Sequence, residues 1–380
     1  MSQETVFLAD EANAKPSRHA LLAAIALCIV MVFGVWQISA AARDPSGFDF
    51  PRSLLDFREG RTTLGLEKQL DHKLPARETL IAFANSIKYL VTGGTGDKVR
   101  PGLDDWLFSV EELQFFKDAN THQTNRLTIL TNAASALKIQ GVTLVIALVP
   151  DKARVYARQL PGGHYPTWHA ERYNSILGTL NAQGVETVDL LAALSRESAT
   201  ELLYYRTDTH WNQPGAQKAA EAVASRVKIF APDLPQTTFV SQTAGPVAPR
   251  TGDLLRMTGM SNMPDWIRPM PDAEAPVSTQ KQAAKQAGGL FDNAGVPVVL
   301  VGTSYSQRGN FHGFLQQALG AEVLNVARDG GGFIESAKDY LADESFKTAK
   351  PRVLIWEVPE RMFSVPLTDS EKRGLPLSGR

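Results

Sequence analysis

Hydrophobic and polar positions alternate in two rhythms over most of this chain. From 111 to 140 the apolar side chains fall at helical spacing (Leu113, Phe116, Leu127, Ile129, Leu130, Ala134, Leu137). A polar break is expected at Asn120-Thr121-His122, and Gly141 is the stop. Residues 142–149 are then an unbroken apolar run, the pattern of a strand buried on both faces. The pair repeats as a helix at 171–182 and a strand at 185–190. Pro214-Gly215-Ala216 opens a helix to 227, since first-turn amides have no helical partner for proline to disrupt. Further on, strands are predicted at 298–301, 323–326 and 353–358, with helices at 311–319 and 334–341. Alternation from 111 to 358 predicts an α/β fold, a parallel sheet with helices on both faces. Residues 231–292 are rich in Pro, Gly, Thr, Ser and Gln and show no period. They are predicted to be an insertion or lid.

The N-terminal pattern differs. Residues 1–19 are polar and carry both signs of charge, whereas 20–42 carry none. At about 1.5 Å per helical residue, that run crosses a hydrocarbon core of about 30 Å. Lys15 and Arg18 before it predict a cytoplasmic N-terminus and an exported remainder, which makes the inner membrane a partner. Two readings compete: an uncleaved signal-anchor, or a signal peptide cleaved near Ser39-Ala40-Ala41-Ala42. The long leader with its acidic residues favours the anchor. A neck at 43–84, one domain at 85–365 and a tail at 366–380 complete the division. Gly93-Gly94-Thr95-Gly96-Asp97 lacks the Lys-Ser/Thr of a phosphate loop and reads as a turn. Trp106-Leu107-Phe108 reads as core.

Composition narrows the chemistry. Hydrophobic residues at 43% and charged residues at 21% of 380 are globular proportions. A net charge of -1 argues against a nucleic-acid partner. The single cysteine, Cys28, excludes an intrachain disulfide and a cysteine metal cluster. His72, His122, His164, His169 and His312 show no metal-ligand spacing and read as structural. No metal or other cofactor is called for.

Two segments carry candidate chemistry. In Tyr204-Tyr205-Arg206-Thr207-Asp208-Thr209-His210-Trp211-Asn212, an extended backbone would put Asp208 and His210 on one face. In Val298-Val299-Leu300-Val301-Gly302-Thr303-Ser304-Tyr305-Ser306, a buried strand ends in Gly-Thr-Ser. Ser304 then sits at the carboxyl edge of the sheet, where open α/β folds place ligands and nucleophiles. Ser304 as nucleophile, His210 as base and Asp208 as the group that orients it make an acyl-transfer triad. Each segment alone also fits a turn or a surface hydrogen bond.

Together the segments resemble one family. Gly302-Thr303-Ser304 is similar to the nucleophile block of SGNH hydrolases, and Asn325-Val326-Ala327-Arg328-Asp329-Gly330 to their second block. Asp208-Thr209-His210-Trp211 precedes the serine, a circularly permuted motif order. That order resembles the alginate O-acetyltransferase group of exopolysaccharide machines, as do Gly302–Ser306, Asn310-Phe311 and Trp356-Glu357-Val358-Pro359-Glu360-Arg361. The resemblance covers roughly 85–365.

The resemblance implies an SGNH-hydrolase-like sheet and a periplasmic O-acetyltransferase acting on an exopolysaccharide such as alginate. The acetyl donor would be a membrane-bound O-acyltransferase partner, among other exopolysaccharide export proteins. Gly330 would give an oxyanion amide, and Tyr305, Arg308 and Asn310 would meet substrate. Where the third SGNH block supplies an asparagine, this chain reads Pro359-Glu360-Arg361. Arg361 is either a replacement oxyanion donor or an ion-pair partner of Glu360. Lys152, Arg154, Arg206, Arg308 and Arg328 are candidates for a basic cleft. The carbohydrate-binding domain that follows the catalytic domain in part of the group is not expected here. A carbohydrate acetyl esterase and a non-catalytic polysaccharide-binding subunit remain as alternatives.

Overall fold

A computed structural model describes residues 18–43, 53–197, 201–282 and 296–377. Most of the polar leader, part of the neck and the end of the insertion lie outside the described residues. The chain divides after Ala84 into two compact units. The first contains helix α1, Arg18–Ala42, which is long and apolar enough to cross a membrane. Two short helices follow it, Leu54–Arg58 and Arg61–Lys73.

The second unit holds the sheet. In chain order its main elements are α2 (Ala119–Ile139), β1 (Thr143–Val149), α3 (Arg172–Ala182), β2 (Glu186–Asp189) and α4 (Gln213–Phe230). Then come β3 (Val298–Val301), α5 (Phe311–Leu319), β4 (Val323–Asn325), α6 (Glu335–Ala342) and β5 (Val353–Pro359). All five strands are parallel, in the order β4-β3-β5-β1-β2. The α/β expectation holds, and the elements fall within a few residues of where the pattern puts them.

Period two explains the layering. Val145, Ala147 and Val149 of β1 face one core with Val353 and Ile355 of β5. That core is covered by Ala216, Ala219, Ala220, Val223 and Val227 of α4 and by Phe311, Leu315 and Leu319 of α5. Leu144, Ile146 and Leu148 face the other core, under Leu130 and Leu137 of α2 and Tyr173, Ile176 and Leu180 of α3. Each buried large apolar side chain is worth about 1.5–3 kcal/mol, so the central strands are the most strongly specified part of the chain.

Two expectations need correction. The helical break lies at 114–118, between the short helix Val110–Leu113 and α2, so Asn120-Thr121-His122 forms the first turn of α2. The insertion is not periodless loop: Phe239–Thr243 pairs with Val277–Lys281, and Ala248–Arg250 with Asp272–Glu274. The tail is docked as far as it is described, because Glu371 forms a fully buried ion pair with Arg126 of α2, 2.6 Å between charged atoms.

Candidate active site

The carboxyl ends of β3 and β5 converge on one cleft of about 780 Å³. β3 ends in Gly302-Thr303 and a single 3-10 turn, Ser304–Gln307, which puts Ser304 at the cleft wall. Two features shape this turn. A Cβ on Gly302 would lie 2.6 Å from the Glu357 carboxylate, so only glycine lets β3 and β5 approach so closely here. The Glu357 carboxylate, in the middle of β5, accepts from the Thr303 amide at 2.7 Å, the Thr303 hydroxyl at 3.0 Å and the Ser306 hydroxyl at 3.1 Å. Burial pushes the Glu357 carboxyl up, while its bonds to Thr303 and Ser306 pull against that. A glutamate inside an apolar strand is a signal readable in sequence, because buried charges are rare without partners.

The Asp208 segment is a tight loop and not the extended stretch expected from i, i+2 spacing. Tyr204 and Trp211 form an antiparallel bridge across it. Inside the loop, Asp208 Oδ1 accepts the His210 amide at 3.0 Å, the local closure that makes aspartate a turn former. Lys152, which opens the short helix Lys152–Val155 after β1, is fully buried and donates to the carbonyls of Tyr205, Arg206 and Asp208 at 3.0, 2.9 and 2.8 Å. Its ammonium lies 5.4 and 5.1 Å from the Trp106 and Phe108 ring centroids, within cation–π range. Trp106-Leu107-Phe108 is therefore core, as expected, and also a floor for the lysine that pins the loop. Asp272, from the insertion, takes the amides of Arg206 and Thr207, both at 2.9 Å.

These supports bring the three predicted residues together. Ser304 Oγ lies 2.7 Å from His210 Nε2, and His210 Nδ1 lies 2.6 Å from Asp208 Oδ1. Burial pushes the Asp208 carboxyl up, but hydrogen bonding and charge from His210, with Arg250 behind, hold it well below the usual carboxylate range. An ionised Asp208 draws the imidazole proton to Nδ1 and leaves Nε2 as an acceptor for the serine hydroxyl. Tyr305 packs under the imidazole, with ring centroids 4.7 Å apart. The arrangement can take a proton from Ser304 Oγ and return it to a leaving group.

The other predicted residues divide. Gly330, with a left-handed φ of 68°, Arg308 and Arg361 line the cleft. The Arg308 guanidinium pairs with Asp329 at 2.7 Å. Arg361 is not the partner of Glu360, which is held by Arg154 and Arg172. Its Nε lies 3.5 Å from Glu111, and its buried Nη1 has no hydrogen-bond partner among the described residues.

Tyr305 and Asn310 do not line the cleft. Tyr305 is fully buried and donates to the Thr209 carbonyl at 2.8 Å, which makes it a packing residue. Asn310, in a left-handed conformation before α5, spends its amide on the Thr279 hydroxyl at 2.8 Å. Of the five cations proposed for a basic cleft, only Arg308 lines it. Lys152 and Arg154 are consumed by carbonyls and Glu360, Arg206 lies 3.7 Å from Asp272, and Arg328 pairs with Asp339.

Two site residues came from the insertion and escaped the sequence reading. Arg250 donates to Asp208 Oδ2 at 2.8 Å, and the Asp253 amide donates to the same oxygen at 3.1 Å. The Asp253 carboxylate reaches within 3.6 Å of His210 Nδ1. Asp208, His210 and Asp253 present atoms within 4.8 Å of one another, a spacing that suits a cation, but the Arg250 guanidinium already supplies positive charge there. The remaining histidine rings act locally where their bonds are described. His169 bonds the Gln114 carbonyl, His312 the Val323 carbonyl and His164 the Gly162 carbonyl.

A parallel sheet with a Ser–His–Asp hydrogen-bonded array at its carboxyl edge defines an SGNH-like acyl-transfer domain. The family model described as "SGNH hydrolase-like domain, acetyltransferase AlgX" matches residues 99–360, and the chain belongs to that family. The chain is 31% identical over 348 residues to the probable alginate O-acetylase AlgJ of Azotobacter vinelandii, covering 90% of this chain and 88% of that one. It is 35% identical over 311 residues to the protein of that name in Pseudomonas putida, covering 80% of each. The solved O-acetyltransferase domain of Pseudomonas putida AlgJ superposes with a TM-score of 0.64 at 34% identity, covering 72% of this chain and 94% of that domain. Pseudomonas aeruginosa AlgX gives a TM-score of 0.56 at 26% identity, covering 69% and 62%.

Proposed function

We propose that this protein is a periplasmic O-acetyltransferase that acetylates hydroxyls of alginate through an acetyl-Ser304 intermediate. The observation that carries this reading is the 2.7 Å contact between Ser304 Oγ and His210 Nε2, with Asp208 2.6 Å behind the imidazole, in a chain of this family. In the first step Ser304 Oγ bonds to the acetyl carbon, His210 takes the serine proton, and the donor's bond to that carbon breaks. The proton passes to the departing group. In the second step a sugar hydroxyl gives its proton to His210 and attacks the acetyl-serine; the bond from the acetyl carbon to Ser304 Oγ breaks, and His210 returns the proton to that oxygen. The backbone amides of Ser304 and Gly330 and the Arg361 guanidinium face the oxyanion of each tetrahedral intermediate. The donor group arrives from a membrane-bound O-acyltransferase, with other exopolysaccharide export proteins as neighbours.

Supplying detergent-solubilised full-length protein with 4-nitrophenyl acetate and deacetylated alginate tests the acceptor. Acetyl is expected on the polymer, in amounts that depend on Ser304. Release of free acetate at a rate unchanged by polymer would move the protein to the esterase reading. No turnover at all would favour a binding subunit.

α1 acts as an uncleaved anchor in the inner membrane, with the catalytic unit outside the cytoplasm. Its length, the absence of charge over 20–42 and the cations before that run support this. Protease added to spheroplasts should digest the bulk of the chain and leave a cytoplasmic marker intact. Survival of the chain alongside that marker would contradict export.

A further inference from the structure

Two carboxylates compete for one imidazole nitrogen. Asp208 Oδ1 lies 2.6 Å from His210 Nδ1 and Asp253 Oδ2 lies 3.6 Å from it. What separates them is how each is held. The second oxygen of Asp208 accepts from Arg250 at 2.8 Å and from the Asp253 amide at 3.1 Å. Asp253 instead spends its other oxygen on the Thr209 amide at 2.7 Å. The Arg250 guanidinium is fixed in turn, because it stacks 3.8 Å from the centroid of the Tyr205 ring. The Tyr205 hydroxyl donates to Glu274, which also takes the Gln213 amide at 3.1 Å. Close backbone contact brings the insertion here as well: a Cβ on Gly252 would lie 2.0 Å from the Thr207 carbonyl oxygen.

We propose that Arg250 is a positioning residue that keeps Asp208, and not Asp253, as the partner of His210 and offsets the charge of this carboxylate pair. The proposal rests on the acyl-transfer reading only for its activity readout. It gives the insertion a role: through Arg250 and Asp253 it is part of the catalytic unit and not a cover over it. The charged and titratable groups around the imidazole are Asp208 from the loop, Asp253 from the helix Asp253–Met257, and Tyr305 beneath it. Arg361 lies 5.6 Å beyond the Tyr305 ring, and Glu357 sits behind the nucleophile turn. Lys152 holds the Asp208 backbone. Arg250 is the cation that touches the Asp208 carboxylate directly.

Removing that cation leaves two less compensated anions beside the imidazole. The charged imidazolium is then favoured, and it forms at higher pH. Arg250→Ala should therefore move the acid limb of kcat/KM to higher pH by roughly half to one unit. It should also lower the plateau about tenfold, the scale for one charge-assisted hydrogen bond. Arg250→Lys should return the limb toward wild type, because it restores the charge. Asp253→Asn removes an anion while leaving the backbone amide in place, so it should shift the limb to lower pH. That second variant keeps the test sharp if Arg250→Ala folds poorly.

Two readouts on the full-length protein separate this proposal from the function reading. One is hydrolysis of 4-nitrophenyl acetate against pH. The other is the pH midpoint for carbethoxylation of His210, read by peptide mass mapping in a Ser304→Ala background, which reports the imidazole without any turnover. Opposite shifts for Arg250→Ala and Asp253→Asn in the carbethoxylation midpoint support the proposal even if Ser304 proves not to be the nucleophile. A midpoint that stays put in both variants overturns it, whatever happens to activity.

Discussion

Ser304→Ala and His210→Ala should each lower ester turnover by about 10⁴-fold or more, and the double variant should be no worse than either alone. The reason is geometric. Ser304 Oγ and His210 Nε2 are 2.7 Å apart and act on the same proton, so losing either ends the same step. Asp208→Asn should be roughly ten- to a hundredfold less severe, because Asp208 orients the imidazole without bonding to the acetyl group. Circular dichroism and thermal melts should show all three variants folded. Ser304 and His210 line a cleft, and asparagine at 208 keeps the volume of the aspartate. Additive losses in the double variant would mean that the two side chains act in different steps.

Arg361→Ala should lower turnover by about 10²-fold with little change in KM. Losing one oxyanion donor typically costs that much, about 2.7 kcal/mol of transition-state stabilisation. The side chain lines the cleft, is almost fully buried, and has an Nη1 with no hydrogen-bond partner among the described residues. An unmet buried donor costs stability unless something uses it. Arg361→Lys should not restore the rate, because a point charge on a flexible stem does not reproduce the planar fork of a guanidinium. A lower melting temperature with turnover intact would make Arg361 a structural group and return the oxyanion to the backbone amides of Ser304 and Gly330.

The sheet was legible in sequence because burial on both faces leaves a continuous apolar run, as in 142–149 and 353–358, and few other structures need one. Ser304 was legible for the same reason: it follows directly from the end of such a run. The shape of the Asp208 loop was not, since it is imposed by Lys152 and Asp272, which are distant in sequence. Arg250 and Asp253 were hidden because the elements that present them are short: Arg250 ends the strand Ala248–Arg250, which gains its stability from pairing with Asp272–Glu274, and Asp253 opens the helix Asp253–Met257. Tyr305 was misjudged through its nearness to Ser304 in the chain. A 3-10 turn sends successive side chains about a third of a turn apart, so the residue next to the nucleophile faces the core. Glu357 could have been found, as a lone acid inside the most buried strand.

The acetyl-serine itself is the most direct test. Full-length protein mixed briefly with 4-nitrophenyl acetate, quenched in acid and digested, should yield one acetylated peptide, the one containing Ser304. Adding deacetylated alginate before the quench should empty that peptide and put acetyl on the polymer, and Ser304→Ala should carry no label there. An unlabelled Ser304 peptide in an enzyme that still turns over, with Ser304→Ala equally active, would contradict the account.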